Sequence, residues 1–226
     1  MSDAALVVVM TLLGAGGGLL SWRVAERVLA DREDPPGPAP RWAHYVAIVS
    51  GAVSLGLFTA LIGARWILVP YTWFILATLS MTFTDFRARL IPDRISFRSL
   101  GIGAALLVVF SAIDGSARRL DEAFLGAVIA AAIYFVIYLV GRGRNFGFGD
   151  VKLSPLIGMF TAFDSWPSFG LAIVLGFLIG GVAGLLLLIS RLKGFREHFA
   201  FGPFMVLGAY ISLLYGTPIL EWYTNT

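Results

Sequence analysis

Apolar residues run far enough to span a bilayer near 4–22, 44–63, 66–84, 99–114, 122–140, 168–190 and 199–220, since about twenty helical residues cross the hydrocarbon. A shorter run follows near 154–163. There Ser154-Pro155 resembles an N-cap followed by proline at the first helical position. The pattern therefore predicts a short or re-entrant helix with 147–153 as its irregular entry, buried in protein or lining a wet cavity. Counted as a crossing, it gives an all-α, polytopic membrane bundle of about eight transmembrane helices. The whole chain, 1–226, reads as a single membrane-embedded domain. Its only soluble-looking connection, within 23–43, is rich in proline and charge and too short for a domain of its own.

Composition agrees. The chain is 58% hydrophobic and 14% charged, with a mean hydropathy of +0.84, far outside the range of a soluble domain. The absence of cysteine excludes disulfides, a cysteine nucleophile and any thiolate zinc site, and two histidines are too few for a histidine-rich metal centre. The first run has Asp3 and no positive n-region, so it is expected to be retained and not cleaved as a signal peptide.

The net charge of +3 matters less than where the charges sit. Alternate connections carry Arg23, Arg27, Arg32 and Arg41; Arg87, Arg89, Arg94 and Arg98; Arg142, Arg144 and Lys152; and Arg191, Lys193 and Arg196. That is 14 of the 17 basic residues, leaving Arg65, Arg118 and Arg119 for the other side. The positive-inside rule makes the richer side cytoplasmic and puts both termini outside. Trp22, Trp42, Trp66, Trp166 and Trp222 fall near predicted span ends, as interfacial belts do. Gly176, Gly180 and Gly184 recur every four residues and should admit a neighbouring helix closely.

Two stretches carry candidate chemistry. Gly147-Phe148-Gly149-Asp150 puts a carboxylate between apolar segments, where an ionisable group costs a few kcal/mol and usually marks a site. The glycines flanking Phe148 would let an extended peptide come close to Asp150. The blander alternative is a loop whose Asp150 caps the next helix. Asp85 sits where the third span meets the same side, within Thr84-Asp85-Phe86-Arg87-Ala88-Arg89-Leu90-Ile91-Pro92-Asp93. Two carboxylates brought together would share one proton, the arrangement that lets one activate water while the other polarises a peptide carbonyl. Asp85 could equally be only a partner of Arg87 or Arg89. Asp93, further out, is a competitor better suited to pairing with Arg94 or ending a turn. A small proton- or cation-coupled transporter using the same two aspartates is the alternative function, but transport calls for polar groups at several depths, and the span centres have almost none.

Asp85 with Leu90-Ile91-Pro92-Asp93, then Gly147-Phe148-Gly149-Asp150-Val151-Lys152-Leu153, and finally Phe201-Gly202-Pro203-Phe204 resemble, in order and spacing, the motifs of the type IV prepilin peptidases, membrane aspartic proteases with a GxGD motif. The resemblance covers the chain from about 66 to the end. It implies a helical membrane peptidase domain in a bacterial or archaeal cytoplasmic membrane, with Asp85 and Asp150 catalytic and the site facing the cytoplasm. The implied substrate is a type IV pilin-like precursor, cut after a glycine ahead of its hydrophobic N-terminal helix. Gly147, Phe148, Gly149, Lys152, Pro92, Gly202 and Pro203 match positions that bind substrate or shape the site. Gly202-Pro203 is expected to bend the last helix, Lys152 to touch substrate or anchor its span, and His198 to be an interfacial residue without ligand duty. Larger members carry a cytoplasmic domain, often with cysteine pairs holding zinc, between the first two spans, and also methylate the new N-terminus. The short connection here puts N-methylation in doubt. No cofactor, metal or nucleic-acid partner is expected; the lipid bilayer is the other partner.

Overall fold

The computed structural model describes residues 3–141, 147–190 and 200–224, with the side chains of 187, 188, 217 and 220–224 left aside. Arg142, Arg144, Arg191, Lys193, Arg196 and His198 lie outside the described residues, and Trp222 outside the described side chains. The described chain is an all-α polytopic membrane protein of eight helices: α1 (Asp3–Ala30), α2 (Ala43–Ile62), α3 (Leu68–Ala88), α4 (Asp93–Asp114), α5 (Arg118–Val140), α6 (Phe148–Asp164), α7 (Trp166–Ile189) and α8 (Gly202–Thr224). Five of these are long and apolar enough to cross a membrane: α1, α2, α4, α5 and most of α7. Two of the others depart from that standard for physical reasons. α6 has only 17 residues, and α3 spends interior positions on Thr78, Ser80, Thr84 and Asp85. The chain divides into two compact units, residues 1–110 and 111–226.

In the first unit α1 and α2 meet on small residues. α1 buries Gly14, Gly18, Ser21 and Ala25 against Ala43, Ala47 and Gly51 of α2, and a Cβ on Gly18 would strike the Ala47 carbonyl. Close backbone approach of this kind substitutes for the hydrophobic effect, which gives no drive between helices in lipid. α3 is the most enclosed helix here, burying Tyr71, Phe74, Ile75 and Met81 among others. Ser21 donates to the Leu76 carbonyl at 3.0 Å and ties α1 to α3. Trp73 Nε1 donates to the Ser99 carbonyl at 3.1 Å and ties α3 to α4. The linker after α1 folds back to the end of α3, where Arg87 meets both Glu26 of α1 (3.0 Å) and the Gly37 carbonyl (2.6 Å). The basic residues closing α1 and α3 thus occupy one end of this unit, as the charge pattern requires. Trp42 and Trp66 are exposed, in keeping with an interfacial place.

In the second unit α5 and α6 cross at Gly126 and Gly158, where a Cβ on Gly126 would lie 2.5 Å from the Gly158 carbonyl oxygen. α7 and α8 meet at Gly176 and Gly208, a Cβ on Gly208 falling 2.9 Å from the Ala172 carbonyl oxygen, and Ser212 donates to the Ser168 carbonyl. Of the expected glycine face, Gly176 and Gly180 do abut α8 and Phe201, while Gly184 meets nothing within 4 Å among the described residues, since α8 begins only at Gly202. Ser165 caps α7, its Oγ accepting from the Ser168 amide at 3.2 Å.

The expected helix start at Ser154-Pro155 is wrong. α6 begins at Phe148, with Gly147 as N-cap and Pro155 inside it. Proline removes the N–H that would bond the carbonyl four residues back, here that of Val151. Ser154 Oγ donates to that same carbonyl at 2.9 Å, so the helix passes through Pro155 with its acceptor satisfied. Gly202-Pro203 likewise opens α8 and does not bend it; the Phe201 carbonyl accepts the Phe204 and Met205 amides at 3.0 and 3.3 Å, and a proline in the first turn wastes no donor.

Candidate active site

Asp85 occupies the last turn of α3 and is only 6% exposed. The helix stops just beyond it because Arg89 takes the left-handed conformation (φ 51°, ψ 41°) and donates its amide to the Asp85 carbonyl at 2.8 Å, a C-terminal closure more usual for glycine. Thr84 beside it bonds the Met81 carbonyl. Phe86 points outward, while Arg87 is held by Glu26 and the linker. After the turn Ile91 is fully buried and pins the loop. The Pro92 carbonyl then accepts the Ile95 and Ser96 amides, at 3.1 and 3.0 Å, and so starts α4. Asp93 is exposed in the first turn of α4, and the neighbouring Arg94 forms its ion pair with Asp31 at 3.8 Å.

Asp150 lies in the first turn of α6 and is 4% exposed. Gly147 is extended (φ −76°, ψ 143°) as the N-cap, and the Asp150 amide donates to its carbonyl at 3.1 Å. Unpaired amides at this end of a helix favour negative charge. A Cβ on Gly147 would meet Asp150 Oδ2 at 3.4 Å, an ordinary contact, so the carboxylate sits directly beside this N-cap. Lys152 stands with its ammonium 5.0 Å from the centre of the Phe148 ring, a cation–π arrangement, and that ring lies 5.4 Å from Tyr138 of α5. Buried Tyr134 stacks on Phe177 at 5.3 Å. Phe177 in turn meets Phe201 at 5.4 Å, linking the Gly202-Pro203 end of α8 to this group. The tyrosines and Phe177 were not singled out in the sequence, where isolated aromatics in apolar spans carry no signal.

Asp85 and Pro92 thus belong to the first unit, and Gly147, Phe148, Gly149, Asp150, Lys152, Gly202 and Pro203 to the second. Among the described residues no cluster of three or more His, Asp or Glu side chains is placed to hold a metal ion.

Each unit thus buries one carboxylate at a helix end, and the other buried polar residues are serines and threonines among the described residues. Residues 72–217, more than half of the chain, match the type IV leader peptidase family. The chain belongs to that family, a family of peptidases. It is similar to the prepilin leader peptidase/N-methyltransferase of Pseudomonas aeruginosa, 30% identical over 182 residues that cover 78% of this chain and 58% of the relative. The protein of the same name from Aeromonas salmonicida is 28% identical over 159 residues, covering 69% and 51%. That from Escherichia coli is 30% identical over 143 residues, covering 61% and 59%. The chain spans about half the length of the relatives it matches. No solved structure matches it.

Proposed function

We propose that this chain is a membrane aspartic endopeptidase that removes the leader of type IV pilin-like precursors at the cytoplasmic face of the cytoplasmic membrane. Asp85 and Asp150 together hold one proton. The ionised carboxylate takes a proton from water as its oxygen attacks the scissile carbonyl, and the protonated one donates to the carbonyl oxygen. Collapse of the tetrahedral diol then returns a proton to the departing nitrogen. The observation that carries this reading is that both motif aspartates are buried at helix ends, a costly placement for groups without a task. By the charge pattern the end of α3 and the start of α6 face the same side, with both termini outside. Gly147, Phe148 and Gly149 border the peptide's path, and Lys152, Pro92, Gly202 and Pro203 shape the site. The reading assigns peptide cleavage to the chain, while the short linker between α1 and α2 puts in doubt the methyl transfer that its relatives' names include.

Asparagine keeps the size of aspartate but cannot take or give the proton. Asp85→Asn and Asp150→Asn should each lower cleavage of a co-expressed precursor by at least about 10²–10⁴-fold. The double variant should be little worse than either single one, because the two act as a unit. Asp93→Asn should retain substantial activity. Full cleavage by either single variant, present in the membrane at normal levels, would end this reading.

A further inference from the structure

The segment of α3 that carries Asp85 also walls a half-open groove of about 430 Å³ on the first unit, lined by Trp22 of α1, Pro40 of the linker and Phe83 of α3, with Trp42, Val46 and Phe86 at its exposed rim. Its size falls in the roughly 300–1,000 Å³ range of ligand sites. Along α3 the lining runs from Leu79 to Arg87, about two turns or ~12 Å, so the cavity extends from the level of Asp85 into the apolar part of the bundle. Its wall is aromatic and neutral: the one guanidinium there, of Arg87, is already taken up by Glu26 and the Gly37 carbonyl. A phosphate would find no cation to spare.

One wall residue breaks a local rule. Thr59, Thr72, Thr78 and Ser80 all donate to the carbonyl four residues back, the usual way a hydroxyl is satisfied in a membrane helix. Thr82 lines the cavity, yet its Oγ1 is buried with no hydrogen-bond partner among the described residues. Such a group is costly to leave unpaired, and rotation about its Cα–Cβ bond would turn the hydroxyl toward an occupant. A neutral hydroxyl suits an amide, whereas a lipid chain would offer it nothing.

Resting on the peptidase reading, we propose that this cavity receives the apolar side chain next to the scissile bond on the membrane side of the substrate, with Thr82 hydrogen-bonded to the peptide backbone. It is a specificity pocket one turn from Asp85.

The test uses the full-length protein and precursors that differ only in that residue, Phe or Ala. Ser50→Phe partly fills the cavity, and Phe86→Ala enlarges it; both positions line it and neither is catalytic. The ratio of kcat/KM for Phe over Ala should fall about tenfold or more in Ser50→Phe, with the Ala precursor still cut, since one pocket contact changes selectivity by that order. The ratio should not fall in Phe86→Ala. A leader-free peptide beginning with Phe should shift the tryptophan emission of the wild type and not of the double variant Trp22→Phe/Trp42→Phe, which removes both tryptophans of the lining. An unchanged ratio in Ser50→Phe, at wild-type thermal stability, overturns the proposal. A phospholipid that co-purifies with the wild type and is lost in Ser50→Phe, with selectivity intact, gives the cavity to lipid and overturns it equally. If no precursor is cut by the wild type, the peptidase reading fails on its own. The pocket is then judged by the emission shift alone: its presence with the Phe peptide supports the pocket, and its absence removes it.

Discussion

A single methyl group on Gly158 tests whether the α5–α6 crossing sets the position of Asp150. A Cβ there would lie 2.6 Å from the Ala130 Cβ and 2.9 Å from the Gly126 carbonyl carbon, against an ordinary contact of about 3.5–4.0 Å. Backbone atoms on both sides cannot swing away, so α5 and α6 must part by about 1 Å. Overpacking of this kind costs about 1–3 kcal/mol, while alanine returns about 0.5–1 kcal/mol of helix propensity. The net for Gly158→Ala is a destabilisation of about 0–2.5 kcal/mol, or up to ~10 °C in Tm at about 2–4 °C per kcal/mol. Asp150 lies eight residues, about 12 Å, along α6, and a shift near 1 Å at a catalytic group can cost about 10²-fold. Gly184→Ala is the internal comparison, because a Cβ there meets nothing within 4 Å among the described residues. It should be neutral or slightly stabilising, by up to about 1 kcal/mol. The assay is thermal unfolding of both variants in detergent, with precursor cleavage measured in parallel. A Gly158→Ala protein that melts with or above Gly184→Ala and cleaves like the wild type would refute the argument.

Three further outcomes are expected. Cysteine labelling, on a chain that has no native cysteine, should find 30–43, 86–97, 142–150 and 191–197 on the cytoplasmic side, with 115–121 and the C-terminus outside; external labelling of 142–150 would part Asp150 from Asp85 and sink the dyad. Purified protein treated with strong chelators should still cut its precursor, and loss of cleavage that zinc restores would point instead to a metal hydrolase. Ser154→Ala should destabilise by about 1–3 kcal/mol, because the Val151 carbonyl loses its donor. In a Pro155→Ala background the amide of residue 155 can bond that carbonyl again, so the same change should cost much less, and equal costs in both backgrounds would show that the serine does not serve it.

The helices were legible because a run of apolar residues has few other ways to satisfy its backbone in lipid, and all seven long runs became helices. What misled was the local grammar carried over from water. Ser-Pro reads as a helix start where solvent can take the carbonyl that proline abandons. In an interior helix that carbonyl must be satisfied by the protein, and Ser154 turns from a cap into a replacement donor within a continuous α6. The glycine repeat of α7 was read correctly at Gly176 and Gly180, since the spacing identifies a helix face but not how far along it the neighbouring helix reaches; α8 begins only at Gly202.

The site was legible to the extent that charge is rare in these spans: a buried carboxylate stands out in an apolar sequence, and both motif aspartates prove buried, while Asp93 is exposed. Its surroundings were not legible, for the same reason in reverse. Tyr134, Phe177 and Phe83 are aromatic residues in a chain full of them, and only folding decides which rings come together, Tyr134 with Phe177 and Phe83 with Trp22. Thr82 is the clearest case. In sequence it is one of several hydroxyl residues along α3, identical in kind to Thr78 and Ser80. What separates it is a hydrogen bond it does not make, beside a cavity one turn from Asp85, and a missing bond has no signature in the order of the residues.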